Sequence, residues 1–511
     1  MSTLPQTSTD ETANAGSPEL VATAIDQVAR PSQMWWRIAD VAVLGVYASV
    51  VLWTIQYHEK WADEAQAWLI ARDLDLRTIW FHELRYEGSP GLWHTILWIA
   101  QRAFHAHYDS ISYIGAAFAI AGVAFMLVKA PFPRPLRWML AFTYFMVYQY
   151  AVIARPYNLL PLLCFAAAAL FRDLKHPERM TVVLVVLANL TIHGTIIAGC
   201  LGLAYLIDAI RFWTTLEERV KARYVLCVGA MLITFLFLFV ILQPTPDVGE
   251  FAPKPSFGGA PQPAPTFKLL ASVAWAFFDH PIPSFLFIVL AGAWCFVRGR
   301  GLTFALPVAL TIALYARVHG YAHHHGTIFV AAITGLWIAW PDGREIGALS
   351  KRGRWAFGGI TLSLVCLFAV NIWDSAVVIR REYLYPYSGG QDAAKYLKSI
   401  GADRGSVFGF LFGTVAVQAY FDHNIFANVP TSYFHQGLPF TGNQLDVDQL
   451  RRINPDYLVV YSVDPQLMLD TNGPIWASLG YQMVHFSDGY YLYKRRVYER
   501  ETYFIYRRVA R

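Results

Sequence analysis

Residues 61–68 read Trp61-Ala62-Asp63-Glu64-Ala65-Gln66-Ala67-Trp68, an acidic pair standing directly after the first long apolar run, 36–56. The chain around it is apolar: of 511 residues, 56% are hydrophobic and only 15% are charged. A carboxylate at the centre of a bilayer costs roughly 2.5 kcal/mol or more. Two adjacent carboxylates beside a membrane entrance therefore belong at the water interface, where they are free to do chemistry. The stretch makes the chain a polytopic α-helical membrane protein with a candidate catalytic loop.

Working outward, further apolar runs cover 110–128, 138–153, 157–171, 180–192, 195–210, 224–242, 282–297, 302–318, 324–340 and 356–373, giving about eleven expected spans. Several fall short of the roughly 20 residues a span needs, so they must thin the bilayer or be buried by neighbours. Residues 1–34 are rich in Thr, Ser, Ala and acids, and read as a disordered cytoplasmic tail. No apolar stretch precedes Trp35, which argues against a signal peptide. All five cysteines lie inside apolar runs, so no disulfide framework is implied.

The links between runs alternate in character. One set is basic: Lys129/Arg134/Arg137, Arg172/Lys175/Arg179, Arg211/Arg219/Lys221/Arg223, Arg298/Arg300 and Arg344/Lys351/Arg352/Arg354. The excess of cations on cytoplasmic loops places these inside. That assignment requires 91–108, with Trp93, Trp98, Arg102 and three histidines, to lie in the headgroup layer without crossing. The N-terminus is then cytoplasmic and residues 381–511 are extracytoplasmic, on an inner-membrane protein whose multi-span domain covers 35–380. Asp63/Glu64, Arg155, His193, the Pro-rich loop 243–266 and His319–His325 all fall on the outer face.

Beyond Ser388 the apolar runs stop. Asp392–Ile400 reads as an amphipathic helix ended by Gly401, and Asp446–Ile453 as another before Asn454-Pro455. Val407–Phe412, Tyr457–Tyr461 and Tyr490–Tyr493 read as strands, giving a small α/β domain. It holds no Gly-x-Gly-x-x-Gly and no Walker-type lysine, so nothing in it marks a nucleotide site.

An acidic pair in a loop is usually a solvated surface feature. Here it sits in an amphipathic stretch between a span and an aromatic-rich helix, where a carboxylate can serve as general base. Arg155, in Ala154-Arg155-Pro156-Tyr157, stands either as a snorkelling anchor or, with Tyr157, as a bidentate phosphate ligand. His319 and His323 have the i, i+4 spacing of two metal ligands, but no further ligand motif accompanies them. Phosphate or sugar contact by His324 or His325, a plain interfacial histidine cluster, and a similar weaker role for His193 stay open. No cofactor is implied, although a divalent metal is compatible with this cluster.

A first span followed by Asp63-Glu64-Ala65, then Glu87-Gly88-Ser89-Pro90-Gly91-Leu92-Trp93, then Ala154-Arg155-Pro156-Tyr157, resembles the C-type (GT-C) integral-membrane glycosyltransferases. The branch it is similar to includes bacterial relatives of protein O-mannosyltransferases and the lipid A aminoarabinose transferase. Members commonly read Pro-Pro-Leu where this chain has Ser89-Pro90-Gly91-Leu92, and Arg-Tyr where it has His324-His325-Gly326. The resemblance implies a sugar donor on a polyprenyl phosphate and transfer to a lipid, glycan or protein acceptor at the outer face. It also implies Asp63 as the catalytic carboxylate with Glu64 in support, and Arg155 with nearby cations on the phosphate. One-step displacement would invert the anomeric centre.

A surface-polysaccharide ligase or polymerase is the nearest rival reading. A transporter would want intramembrane charges and internal repeats, and neither is evident in the sequence. The charge-based topology predicts that cysteines placed at Ser256 and Ser406 react with an impermeant thiol reagent on intact cells and one at Ser350 does not. Labelling at 350 but not at 406 would invert the arrangement.

Overall fold

A computed structural model of the chain describes residues 33–243, 265–317, 322–434 and 447–509. The expected tail, most of the Pro-rich loop and His319 lie outside the described residues. Helices α1 (Gln33–Ile55), α2 (Ala62–Asp73), α3 (Leu92–Phe104), α4 (Ser110–Lys129), α5 (Leu160–Leu170), α6 (Pro177–Ala188), α7 (Ile192–Arg211), α8 (Glu218–Ile241), α9 (Pro265–Ala276), α10 (Pro281–Val297), α11 (Gly301–Arg317), α12 (Gly326–Ala339) and α13 (Lys351–Leu384) carry the apolar part. Packing divides the chain inside α1, after Val46. None of residues 34–46 is buried, and Tyr47 onward forms one unit.

Among the described residues five helices, α1, α4, α7, α8 and α13, are long and apolar enough to cross a bilayer, and α9 with α10 form a further pair bent by 75°. The other apolar runs become shorter helices. The run 138–153 is the clearest case. It breaks into a helix, Arg134–Ala141, and a π-turn, Phe145–Gln149, and residues 143–154 are all buried. Irregular backbone at membrane depth is tolerated where protein surrounds it. α8 is the opposite case, presenting Val225, Leu226, Ile233, Leu236 and Phe239 outward. An apolar face of that extent is out of place in water and suits lipid. Residues 92–104 form the 13-residue α3, which is not among the helices long enough to cross and packs on α2.

α13 runs for 34 residues, about 51 Å at 1.5 Å each, against roughly 30 Å of hydrocarbon. It therefore rises out of the apolar layer and delivers the chain to the C-terminal domain, crossing the expected boundary at 380/381 without a break. That domain is a four-stranded sheet of β1 (Val407–Phe410), β2 (Tyr457–Ser462), β3 (Tyr481–Tyr493) and β4 (Arg496–Arg508), in the order β1-β2-β4-β3. β1 and β2 are parallel and the other pairs antiparallel. Strand side chains alternate between faces. Val407, Val459, Tyr503 and Ile505 accordingly pack with Ala393 and Leu397 of α14 (Gly390–Ser399). Phe408, Leu458, Val460 and Phe504 pack on the other face with Leu450 of α15 (Val447–Ile453) and Trp476 of α16 (Pro465–Ser478). α16, β4 and most of β3 extend what the sequence pattern marks.

The β3–β4 hairpin reaches back into the helical part. At its tip Lys494 takes a left-handed φ of 51°, and its side chain is fully buried. Its ammonium donates to the Trp275 carbonyl at 2.8 Å and lies 4.0 Å from Asp374 of α13. Arg495 meets the same Asp374 at 2.9 Å, and Arg496 pairs with Asp279. Removing one member of a buried charge pair costs about 3–5 kcal/mol. Lys494→Met should therefore lower the thermal midpoint of the detergent-solubilised protein markedly, with part of the loss recovered by adding Asp374→Asn. An unchanged midpoint in the single variant would show that the tip does not anchor the domain.

Candidate active site

The acidic pair opens α2, where negative charge complements the helix dipole. Its two carboxylates part company. Glu64 turns inward, and its side chain is 0% exposed. One oxygen accepts the Trp61 N–H at 3.2 Å and meets His58 Nε2 at 3.0 Å, while the other accepts the Ala154 N–H at 2.7 Å. His58 Nδ1 in turn meets Glu382 at 2.8 Å, and the Tyr148 hydroxyl donates to Glu382 at 2.5 Å. Burial alone would lower the pKa of His58. The Glu64 and Glu382 carboxylates on either side outweigh that and push it up to about 10. Burial likewise opposes charge on Glu64, but His58 and the two backbone N–H groups hold its pKa below the ordinary value. The result is a buried cation between two anions, tying the end of the first span to Arg155's neighbour and to the top of α13.

Asp63 points the other way, with its side chain 22% exposed, and pairs with the guanidinium of Arg155, 18% exposed. Pro156 disfavours helical backbone at Arg155, which is extended (φ −129°, ψ 165°). The Asn158 side chain accepts the Arg155 N–H at 2.7 Å and starts the following turn. The guanidinium also lies 5.8 Å over the Trp61 ring. Around this pair the structure gathers residues from distant helices. Tyr157 Oη and His193 Nδ1 are 3.3 Å apart, and the ring of His324 is 5.2 Å from that of His193. His323 Nδ1 and the Tyr491 hydroxyl are 2.9 Å apart, and the Tyr491 ring lies 5.0 Å from Trp61.

Of the residues expected from sequence, Asp63, Arg155, Tyr157, His193 and His324 come together. His325 is set back, packed on Trp275 and Tyr315. Glu64 belongs to the buried network and has no opening to solvent. Among the described residues no group of three or more His, Cys, Asp or Glu is placed to hold a metal ion.

Four neighbours had no site role in the sequence reading, although Trp61 and Glu87 stand within its quoted motifs. Trp61 and Tyr491 line the site, and two titratable groups join them. Gln66 donates to Glu87 at 2.9 Å. Burial, reinforced by Glu83 and Asp63 against that hydrogen bond, pushes the Glu87 carboxyl up to about 8. Gly88, at φ 61°, makes the turn that follows it. His94 is buried at the start of α3, and neither ring nitrogen has a hydrogen-bond partner among the described residues. Burial and then the Arg155 charge push its pKa down to about 4, so it is a neutral imidazole near pH 7. Within the site, then, are one ion pair with access to solvent, a neutral histidine and a carboxyl held largely protonated.

The His58 network yields a pH signature. Its folded pKa of about 10 stands above the ordinary 6.5, so the native state holds an extra proton between these values. The stabilisation it provides is complete below about 6.5 and is lost as pH rises through about 10. His58→Gln should lower thermal stability at pH 6.5, and its deficit against the wild type should shrink toward pH 10. Parallel melting curves across that range would remove His58 from the network's charge balance.

No protein-family model matches the sequence, and no curated protein matches it. A solved structure with a similar fold is the crystal structure of ArnT from Cupriavidus metallidurans bound to undecaprenyl phosphate. The superposition covers 93% of this chain and 98% of that one, with a TM-score of 0.51 and 13% identity. At that identity the likeness speaks to fold, and it runs over the helical part and the C-terminal domain together. The chain is a multi-span membrane protein with the GT-C fold that ArnT also has.

Proposed function

We propose that this chain is a membrane glycosyltransferase that moves a sugar from a polyprenyl phosphate to an acceptor hydroxyl at the Asp63–Arg155 site. The observation that carries the reading is the pairing of one reachable carboxylate with one reachable guanidinium, inside a fold shared with a structure that holds undecaprenyl phosphate. The outer face of the membrane, as the basic links imply, is the side on which we place it.

In this reading Arg155 exchanges Asp63 for the donor phosphate, which its planar fork binds in a bidentate manner. The freed Asp63 carboxylate takes the acceptor's proton as the acceptor oxygen attacks the anomeric carbon. The bond between that carbon and the phosphate oxygen breaks, and the electron pair leaves with the phosphate. Arg155 stabilises the charge that develops there, with the neutral imidazoles of His94 and His324 as hydrogen-bond donors. A single displacement inverts the sugar. Glu64 has no part in proton transfer here; it fixes the backbone that carries Arg155.

Asp63→Asn should retain donor binding and lose about 10²- to 10⁴-fold in single-turnover transfer from a polyprenyl-phosphate sugar. Arg155→Ala should weaken donor use, with Arg155→Lys restoring only part, because lysine lacks the fork. Glu64→Gln should reduce stability more than turnover of the folded fraction. Transfer by Asp63→Asn within threefold of wild type would exclude it as the base. Transfer only from a long glycan on a diphosphate would favour a polysaccharide ligase.

A further inference from the structure

Three helices tie the Asp63–Arg155 site to a second, separate feature. α7 starts beside His193 and ends at Arg211, α12 starts directly after His325, and α11 ends close to Tyr315, which touches His324. Their lengths of 20, 14 and 17 residues correspond to about 30, 21 and 26 Å. Their far ends therefore lie about 21 to 30 Å along the helices from the site, against a hydrocarbon thickness of roughly 30 Å. There the chain leaves a cavity of about 240 Å³, lined by Arg172, Arg298, Arg300, Asp208, Glu345 and Phe171 among others.

Positive charge is in excess in this cavity. Arg298 lies 2.8 Å and Arg172 3.9 Å from the single carboxylate of Glu345. Arg300 pairs with Asp208, which Arg211 also approaches at 3.5 Å on its other oxygen, and lies 5.5 Å over the Phe171 ring. In these pairs four guanidiniums share two carboxylates; Asp342, which also feels Arg172, has Arg344 beside it, so cations remain in excess. Burial and then the neighbouring Arg172 charge lower the pKa of Arg300, against the opposing pull of the Glu345 carboxylate. Arg298 keeps its Nε buried without a hydrogen-bond partner among the described residues. A plain set of ion pairs stapling helix ends would leave neither the surplus charge nor the open volume.

We propose that this cavity binds the phosphate ester of an anionic phospholipid in the leaflet opposite the Asp63–Arg155 site. A guanidinium fork suits a phosphodiester, and basic pockets between spans at headgroup level take anionic lipids. The volume fits a headgroup, with the acyl chains running outside along the apolar helices. The lipid joins the ends of α7, α11 and α12 and so bears on the geometry of the residues at their other ends.

The test uses the full-length protein in neutral detergent, with thermal shift and native mass spectrometry as readouts, and so is independent of transferase activity. Phosphatidylglycerol should raise the midpoint and remain bound, while phosphatidylcholine should not. Arg298→Gln should weaken phosphatidylglycerol binding by about tenfold, the loss of one charged hydrogen-bonding group. Arg298→Lys, which preserves charge and so folding, should lose less. Arg352→Gln, an exposed cation at the start of α13, should change nothing. Equal weakening by Arg298→Gln and Arg352→Gln, or no preference for phosphatidylglycerol in the wild type, would overturn the proposal. Glycerol 3-phosphate binding as tightly as the lipid would replace it with a free phosphate-ester site.

Discussion

A protonated histidine held between two carboxylates, all three shut away from water, is the constraint on which the rest of the site depends. His58 joins Glu64 and Glu382, and Glu64 in turn holds the Ala154 N–H. Burying charge is costly, and such clusters persist when the geometry satisfies every member. Here that geometry fixes the end of the first span, the start of α2, the turn before Pro156 and the top of α13. With those four backbones fixed, Asp63 and Arg155 have one place to meet.

The two halves of the Asp63-Glu64 pair divide the work because helix geometry sends adjacent side chains about 100° apart. One carboxylate goes to protein and becomes framework; the other goes to the opening and meets a cation. This division also explains why no isolated loop would serve. The reachable carboxylate is placed by its unreachable neighbour, and that neighbour is placed by residues from two other parts of the chain.

The fold was legible where long apolar runs alternate with basic links, and a short helix at α3 was readable from its amphipathic pattern. Two kinds of feature were not. β4 begins with Arg496, Glu499, Arg500 and Glu501, and the turn before it uses Lys494 at positive φ where Gly, Asn or Asp would have announced a hairpin. α16 contains Gly473-Pro474, which reads as a break. At the site, Asp63, Glu64, Arg155 and Tyr157 stood out through local context. His58 and Glu382, 324 positions apart, could not, since each alone is an ordinary polar residue at a span end. Tyr491 was hidden for the same reason, coming from a strand whose only expected duty was to complete a sheet.

The β3–β4 hairpin places Tyr491 against Trp61 while its tip is pinned under α13 by Lys494. The C-terminal sheet domain is consequently no detachable module. Grafting another domain onto these spans would delete the wall that Tyr491 gives the Asp63–Arg155 site, and hinging it away would strip out the same wall. If the proposed transfer takes place here, the acceptor must reach Asp63 with Tyr491 still seated against Trp61, so that a fixed wall, and not a swinging door, limits what is admitted.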